Sequence, residues 1–256
     1  MKNKFLIYQD QGCADNAQLV KSLRCYDAES DIVIVSADDI LKRNVLNKDV
    51  KVFFMPGGAS TPYRHRLEVL GNTKIRQYVQ EGGVYCGICA GAYYACEYTD
   101  FERNFPELSV QEKYGLDLVQ GAAVGTLYQE LGIAPYSQSD HSAAAVSITW
   151  LSDCQSHVVY YHGGPYFKLK ACPDTQVLAV YDVNLMLPAI ISRTFGRGKV
   201  ILSGVHFEDD GFSLQKMFQS MSNSSGIGEQ LSQKLQKNEQ SRQALLLKLM
   251  TKMLEK

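Results

Sequence analysis

The 256-residue chain has no apolar run near the ~20 residues that a membrane-spanning helix needs, so no membrane role is expected. The opening Met1-Lys2-Asn3-Lys4-Phe5-Leu6-Ile7-Tyr8-Gln9-Asp10 holds too short an apolar stretch for a signal peptide. Neither sign of charge is in excess. A formal net charge of −1 offers no electrostatic basis for a nucleic-acid partner or an anionic membrane surface. The seven cysteines are odd in number and lack the spacing of a disulfide scaffold, which predicts a reducing, cytoplasmic setting. Cys13, Cys25, Cys96, Cys154 and Cys172 have no ligand-like spacing with histidine, so neither metal nor cofactor is expected. Internal repeats and linkers are missing too. The expectation is one domain over residues 1–256, with residues 222–256 as a helical extension.

What is present reads as an α/β protein. Its 45% hydrophobic content suits a buried core that needs no covalent staple. Apolar runs at Phe5-Leu6-Ile7-Tyr8, Asp31 to Val35, Val50 to Met55 and Gly83 to Cys86 alternate with helical stretches, Asn16 to Cys25 and Asn72 to Glu81. Strands this continuously apolar predict a mostly parallel sheet with helices on both faces. Further strands are expected at Leu116 to Val124, Ala144 to Thr149, Ser156 to Tyr161, Thr175 to Tyr181, Pro188 to Thr194 and Lys199 to Val205. Asn184 marks one turn, and Phe195-Gly196-Arg197-Gly198-Lys199 a hairpin. Beyond Asp210 the chain turns helical, with a break at Ser222 to Gly228. Leu245, Leu246, Leu249 and Met253 recur at helical spacing, which fits a terminal helix packed on the body or a helix offered to a partner protein.

The chemistry centres on Val84-Tyr85-Cys86-Gly87-Ile88-Cys89-Ala90-Gly91-Ala92-Tyr93. Gly-x-Cys-x-Gly between a strand and a helix is the thiol form of the nucleophile elbow, a turn too sharp for side chains on both sides of the nucleophile. Cys89 would sit exposed at the strand end, where the helix N-terminus favours thiolate. Its base should also lie beyond a strand's carboxyl end. His206 directly follows the Lys199 to Val205 strand. Glu208, two residues on, points the same way in an extended segment and can hold one imidazole nitrogen while the other faces Cys89. The N–H groups of Ala90 and of Gly58, in the Pro56-Gly57-Gly58 turn, are candidate oxyanion donors. A plain strand-terminating turn is the other reading of those glycines.

His162, before Gly163-Gly164-Pro165, is the rival base or a substrate contact. His65 is read as a loop residue that could line the pocket, and His141 and His157 as ordinary packing. Cys86-Gly87-Ile88-Cys89 also reads as a redox C-x-x-C, but the glycine frame is centred on Cys89 and Cys86 ends a strand.

Together these residues resemble the class I glutamine amidotransferase-like superfamily, and more specifically the amino-terminal domain family of biotin–protein ligases. The resemblance rests on Met55-Pro56-Gly57-Gly58-Ala59, on Gly82 to Tyr94, on Tyr161-His162-Gly163-Gly164-Pro165-Tyr166-Phe167 and on Gly196 to Glu208. It implies a flavodoxin-like fold, Cys89 as nucleophile, His206 as base, Glu208 as orienter, and Gly58 and Ala90 as oxyanion donors. Gly57, Tyr93, His162, Gly163 and Gly164 are the expected substrate contacts. It does not imply biotin ligation, because that ligase's catalytic domain is a separate module with no copy here.

Two positions depart from the glutaminase pattern. Tyr93 stands where glutaminases usually carry Gln, and Phe207 separates His206 from Glu208 where they usually carry Pro. The resulting expectation is a cysteine hydrolase or amidotransferase-like enzyme acting on an amide or ester of a small molecule or peptide. A non-catalytic ligand- or partner-binding module on the same fold is the alternative, and cysteine redox sensing a third.

Overall fold

In the computed structural model, which describes residues 2–220 and 226–255, the first apolar runs become strands β1 (Lys4–Tyr8), β2 (Asp31–Val35), β3 (Val50–Met55) and β4 (Val84–Ile88). Helices α1 (Ala17–Tyr26), α2 (Ala37–Lys42) and α3 (Ser60–Gln80) connect them. Along β3, Val52 and Phe54 enter one core while Phe53 and Met55 enter another. This is why the strand reads as apolar without alternation: the pleat sends successive side chains to opposite faces, and both faces are covered.

The chain continues through α4 (Ala90–Ala95), β5 (Cys96–Phe101), β6 (Val110–Glu112), β7 (Val119–Gly125), α5 (Tyr128–Leu131), β8 (Ala143–Trp150), β9 (Gln155–His162) and β10 (Tyr166–Leu169). Next come β11 (Thr175–Tyr181), β12 (Pro188–Phe195), β13 (Gly198–Ser203), α6 (Gly211–Ser220), α7 (Ile227–Lys237) and α8 (Glu239–Leu254). Among the described residues the main sheet has nine strands in the order β2-β1-β3-β4-β13-β12-β11-β8-β9. The joins from β2 to β13 are parallel, and those from β13 to β9 antiparallel. The expected parallel sheet is therefore the first half of a mixed one. A second sheet, β10-β7-β5-β6, covers one face of the first.

Helix α3 starts at Ser60 rather than near Asn72. Pro62 falls in its first turn, where a missing N–H costs no helical bond. Glu68, at φ 50°, kinks it. His65 is thus an exposed helix residue, not part of a pocket-lining loop.

Leu245, Leu246, Leu249 and Met253 of α8 are at most 5% exposed and join the core cluster of Phe5 and Ile7. The Lys199 ammonium ties the helix end down by donating to the Lys252 carbonyl at 2.6 Å. These four apolar side chains of the expected stripe thus pack on the body of the protein. Of the expected break, Ser222 to Ser225 lie outside the described residues, whereas Ile227 and Gly228 are helical. No helix among the described residues is long and apolar enough to cross a membrane.

Candidate active site

Strand β4 ends at Ile88, and the chain reverses sharply at Cys89, whose φ of 48° and ψ of −105° lie where non-glycine residues are strained by about 1–3 kcal/mol. Neighbouring backbone holds it there. The Cys89 N–H donates to the Ser203 carbonyl at the end of β13 (2.9 Å), and the Gly91 N–H to the Pro56 carbonyl (3.1 Å). A Cβ on Gly91 would sit 2.0 Å from the Met55 oxygen, and one on Gly87 would sit 2.6 Å from the Gly91 oxygen. The two flanking glycines are required by backbone on backbone, as the sequence pattern implied. The helix after the elbow is short. Helix α4 has six residues and runs directly into β5, so its dipole is small.

Three elements converge on the sulfur. The Cys89 thiol donates to the His162 carbonyl at 3.6 Å, and it also interacts with the His206 imidazole. His206 Nδ1 and Glu208 Oε1 are 2.8 Å apart, which leaves Nε2 for the sulfur. Gly57 lies against both: a Cβ there would be 2.9 Å from His206 Cε1 and 3.7 Å from Cys89 Cβ. The Gly57 carbonyl is fixed by the Ala14 N–H (3.0 Å) and the Tyr63 hydroxyl (2.9 Å). Among the described residues, the N–H groups of Gly58 and Ala90 have no acceptor. Cys89, His206 and Glu208 are 7%, 9% and 7% exposed, so the cluster is nearly closed.

Burial disfavours the charged imidazole of His206, but the Glu208 carboxylate and the bonds to Cys89 and Glu208 outweigh it and hold its pKa well above 6.5. Asp209, missed by the sequence reading, places Oδ2 3.6 Å from His206 Nδ1. Burial and then the Glu208 charge push its carboxyl up to about 7. One ligand atom from each of His206, Glu208 and Asp209 lies within 4.8 Å of the others, a spacing a divalent cation could bridge. Metal binding would need a neutral imidazole and would break the 2.8 Å bond.

The ring of His162, the rival base of the sequence reading, is engaged by the 137–142 segment. Its Nε2 lies 2.8 Å from the Ser137 carbonyl and 3.2 Å from Ser142 Oγ, and burial lowers its pKa. Its ring stacks on Tyr136 with centroids 5.1 Å apart. Tyr136, which no local sequence signal marks, also lies against Gly163, where a Cβ would be 2.7 Å from its ring. Tyr93, buried at 3% exposure, donates its hydroxyl to the Gly163 carbonyl at 3.2 Å. The Tyr161 and Tyr181 hydroxyls donate to the carbonyls of Gly164 and Pro165, each at 2.9 Å. Four successive carbonyls of the 162–165 strap thus each receive a side-chain donor, the first of them the Cys89 thiol. Gly164 is needed because a Cβ would lie 1.9 Å from the Gly204 oxygen.

The dithiol reading fails on burial. Cys86 is fully buried within β4, and desolvation pushes its thiol far up. His157 packs as expected, with Nδ1 2.9 Å from the Ser241 carbonyl.

The fold is that of class I glutamine amidotransferase-like proteins. A glutamine amidotransferase from Thermotoga maritima superposes with a TM-score of 0.59 at 12% identity, covering all of both chains. A second glutamine amidotransferase gives 0.56 at 18% identity, over 79% of this chain and 90% of that one. In sequence, an uncharacterised protein of Chlamydia muridarum is 31% identical over 212 residues, 80% of each chain. A biotin–protein ligase of Schizosaccharomyces pombe is 28% identical over 158 residues, which are 60% of this chain and 25% of that protein. The family described as biotin-protein ligase, N terminal, matches residues 3–255, and this chain belongs to it.

Proposed function

We propose that the chain is a cysteine-nucleophile hydrolase or amidotransferase-like enzyme that opens an amide or ester of a small molecule or peptide through a thioester. The observation that carries this reading is a strained Cys89 beside an imidazole whose other nitrogen is held by Glu208 at 2.8 Å. His206 takes the Cys89 proton and the thiolate attacks the carbonyl carbon. The N–H groups of Gly58 and Ala90 receive the oxyanion. His206 returns the proton to the leaving group, and the acyl group remains on sulfur. Water, deprotonated by His206, then hydrolyses the thioester.

The near-closed site and the fastened Tyr93 argue against glutamine itself as substrate. The same closure supports a second reading, a binding module without turnover. Alkylation of Cys89 by iodoacetamide, followed by peptide mass spectrometry across pH, separates the two. An apparent pKa below ~8.5 that rises in His206→Ala supports the enzyme. A thiol equally sluggish in both proteins refutes it and leaves the binding module.

A further inference from the structure

A second polar site lies at the other end of the sheet. Phe195 pairs with Gly198 and Arg193 with Val200, at the amino ends of β13 and β4, whereas Cys89 lies beyond their carboxyl ends. Here the seam between the two sheets opens into a cavity of about 370 Å³, the size of a metabolite rather than a bare ion.

Two guanidinium groups form part of its wall. Arg76 and Arg193 place Cζ 5.0 and 5.5 Å from the Phe195 ring centroid. Each is aimed by backbone. Arg76 Nη1 donates to the carbonyls of Leu116 (2.6 Å) and Asp117 (3.0 Å), and Arg193 Nη1 to that of Leu118 (2.8 Å). Among the described residues, neither pairs with a carboxylate, and the buried Arg193 Nε–H has no acceptor. Arg242, by contrast, is neutralised by the Glu239 carboxylate at 2.6 Å.

One of the two acids lining the cavity is already engaged. Glu97 accepts from Lys170 at 2.6 and 2.8 Å and from the Gly121 N–H at 3.4 Å, with Lys113 3.9 Å away. The cavity is therefore lined by four cations against two carboxylates, Glu97 and Asp117, in a chain whose net charge is −1.

We propose that this cavity is an anion-binding site, separate from Cys89, for a metabolite-sized molecule carrying a phosphate or carboxylate group. The paired guanidinium groups receive the anionic oxygens, and Lys113 at the rim completes the charge.

The test is isothermal titration calorimetry of the full chain with sodium phosphate and with sodium citrate, at fixed ionic strength held with chloride. Saturable binding of at least one is expected, and which one binds identifies the anionic group. Affinity should fall roughly tenfold in Arg76→Gln and roughly threefold in Lys113→Gln, and hold in Cys89→Ala. Lys113 is 69% exposed, so its variant tests the site even if Arg76→Gln fails to fold. Absence of saturable binding to either anion, equal affinity in every folded cleft variant, or binding lost in Cys89→Ala would overturn the proposal.

Discussion

At the carboxyl ends of β4 and β13, ionisable groups are buried and matched to one another: Glu208 faces His206 at 2.8 Å, and His206 meets Cys89. At the amino ends of the same strands, Arg76 and Arg193 line an open cavity, and neither pairs with a carboxylate among the described residues. Both ends use backbone to aim side chains. They differ in who supplies the countercharge. At the Cys89 end the protein does, which tunes proton affinity in a closed space. At the arginine end the anion proposed above would supply it.

The largest break in this comparison is Cys89→Ala. Turnover in an amide and ester hydrolysis screen, and any acyl adduct seen by intact-mass spectrometry, should fall by about 10³-fold or more. Gly57→Ala comes next. Its methyl would displace the imidazole, and Cys89 alkylation should slow by about 10²-fold while the melting transition drops by an amount equivalent to about 1–3 kcal/mol.

Glu208→Gln sharpens the electrostatic half. Folding raises the His206 pKa, so its stabilising contribution is complete below pH 6.5 and is lost as pH rises through the higher native value. In Glu208→Gln burial should win, and denaturant midpoints measured from pH 6 to 9 should lose this decline. Tyr181→Phe leaves the Pro165 carbonyl without its donor and should cost about 1–3 kcal/mol in urea unfolding. The smallest effect belongs to Lys113→Gln, which should leave Cys89 alkylation within about twofold of wild type. A larger change would mean that the two ends are coupled.

The Cys89 end was largely legible because its signals are local. Glycines around Cys89 and a histidine two residues before a glutamate at a strand end can be read in one short window each. The arginine end was not, since Arg76, Glu97, Lys113 and Arg193 come from separate segments that only tertiary structure joins. The second sheet escaped for a different reason. Cys96-Glu97-Tyr98-Thr99-Asp100-Phe101 follows α4 with no Gly or Pro between them, and β6 has only three residues. Strand direction in β8 to β12 also leaves no mark in apolar periodicity, so the antiparallel half of the main sheet read like the parallel half. Asp209 sat beside a recognised residue and was passed over because alternation along an extended segment points it away from Glu208.

The 162–165 strap has a mechanical consequence. Three of its carbonyls are gripped by Tyr93, Tyr161 and Tyr181, whose hydroxyls burial keeps protonated. The side-chain donor to the His162 carbonyl is the Cys89 thiol instead. A thiolate at this position would face a carbonyl oxygen that cannot retreat. The strap is thus a fixed backstop on one side of the sulfur, and the His206 imidazole is its other polar contact.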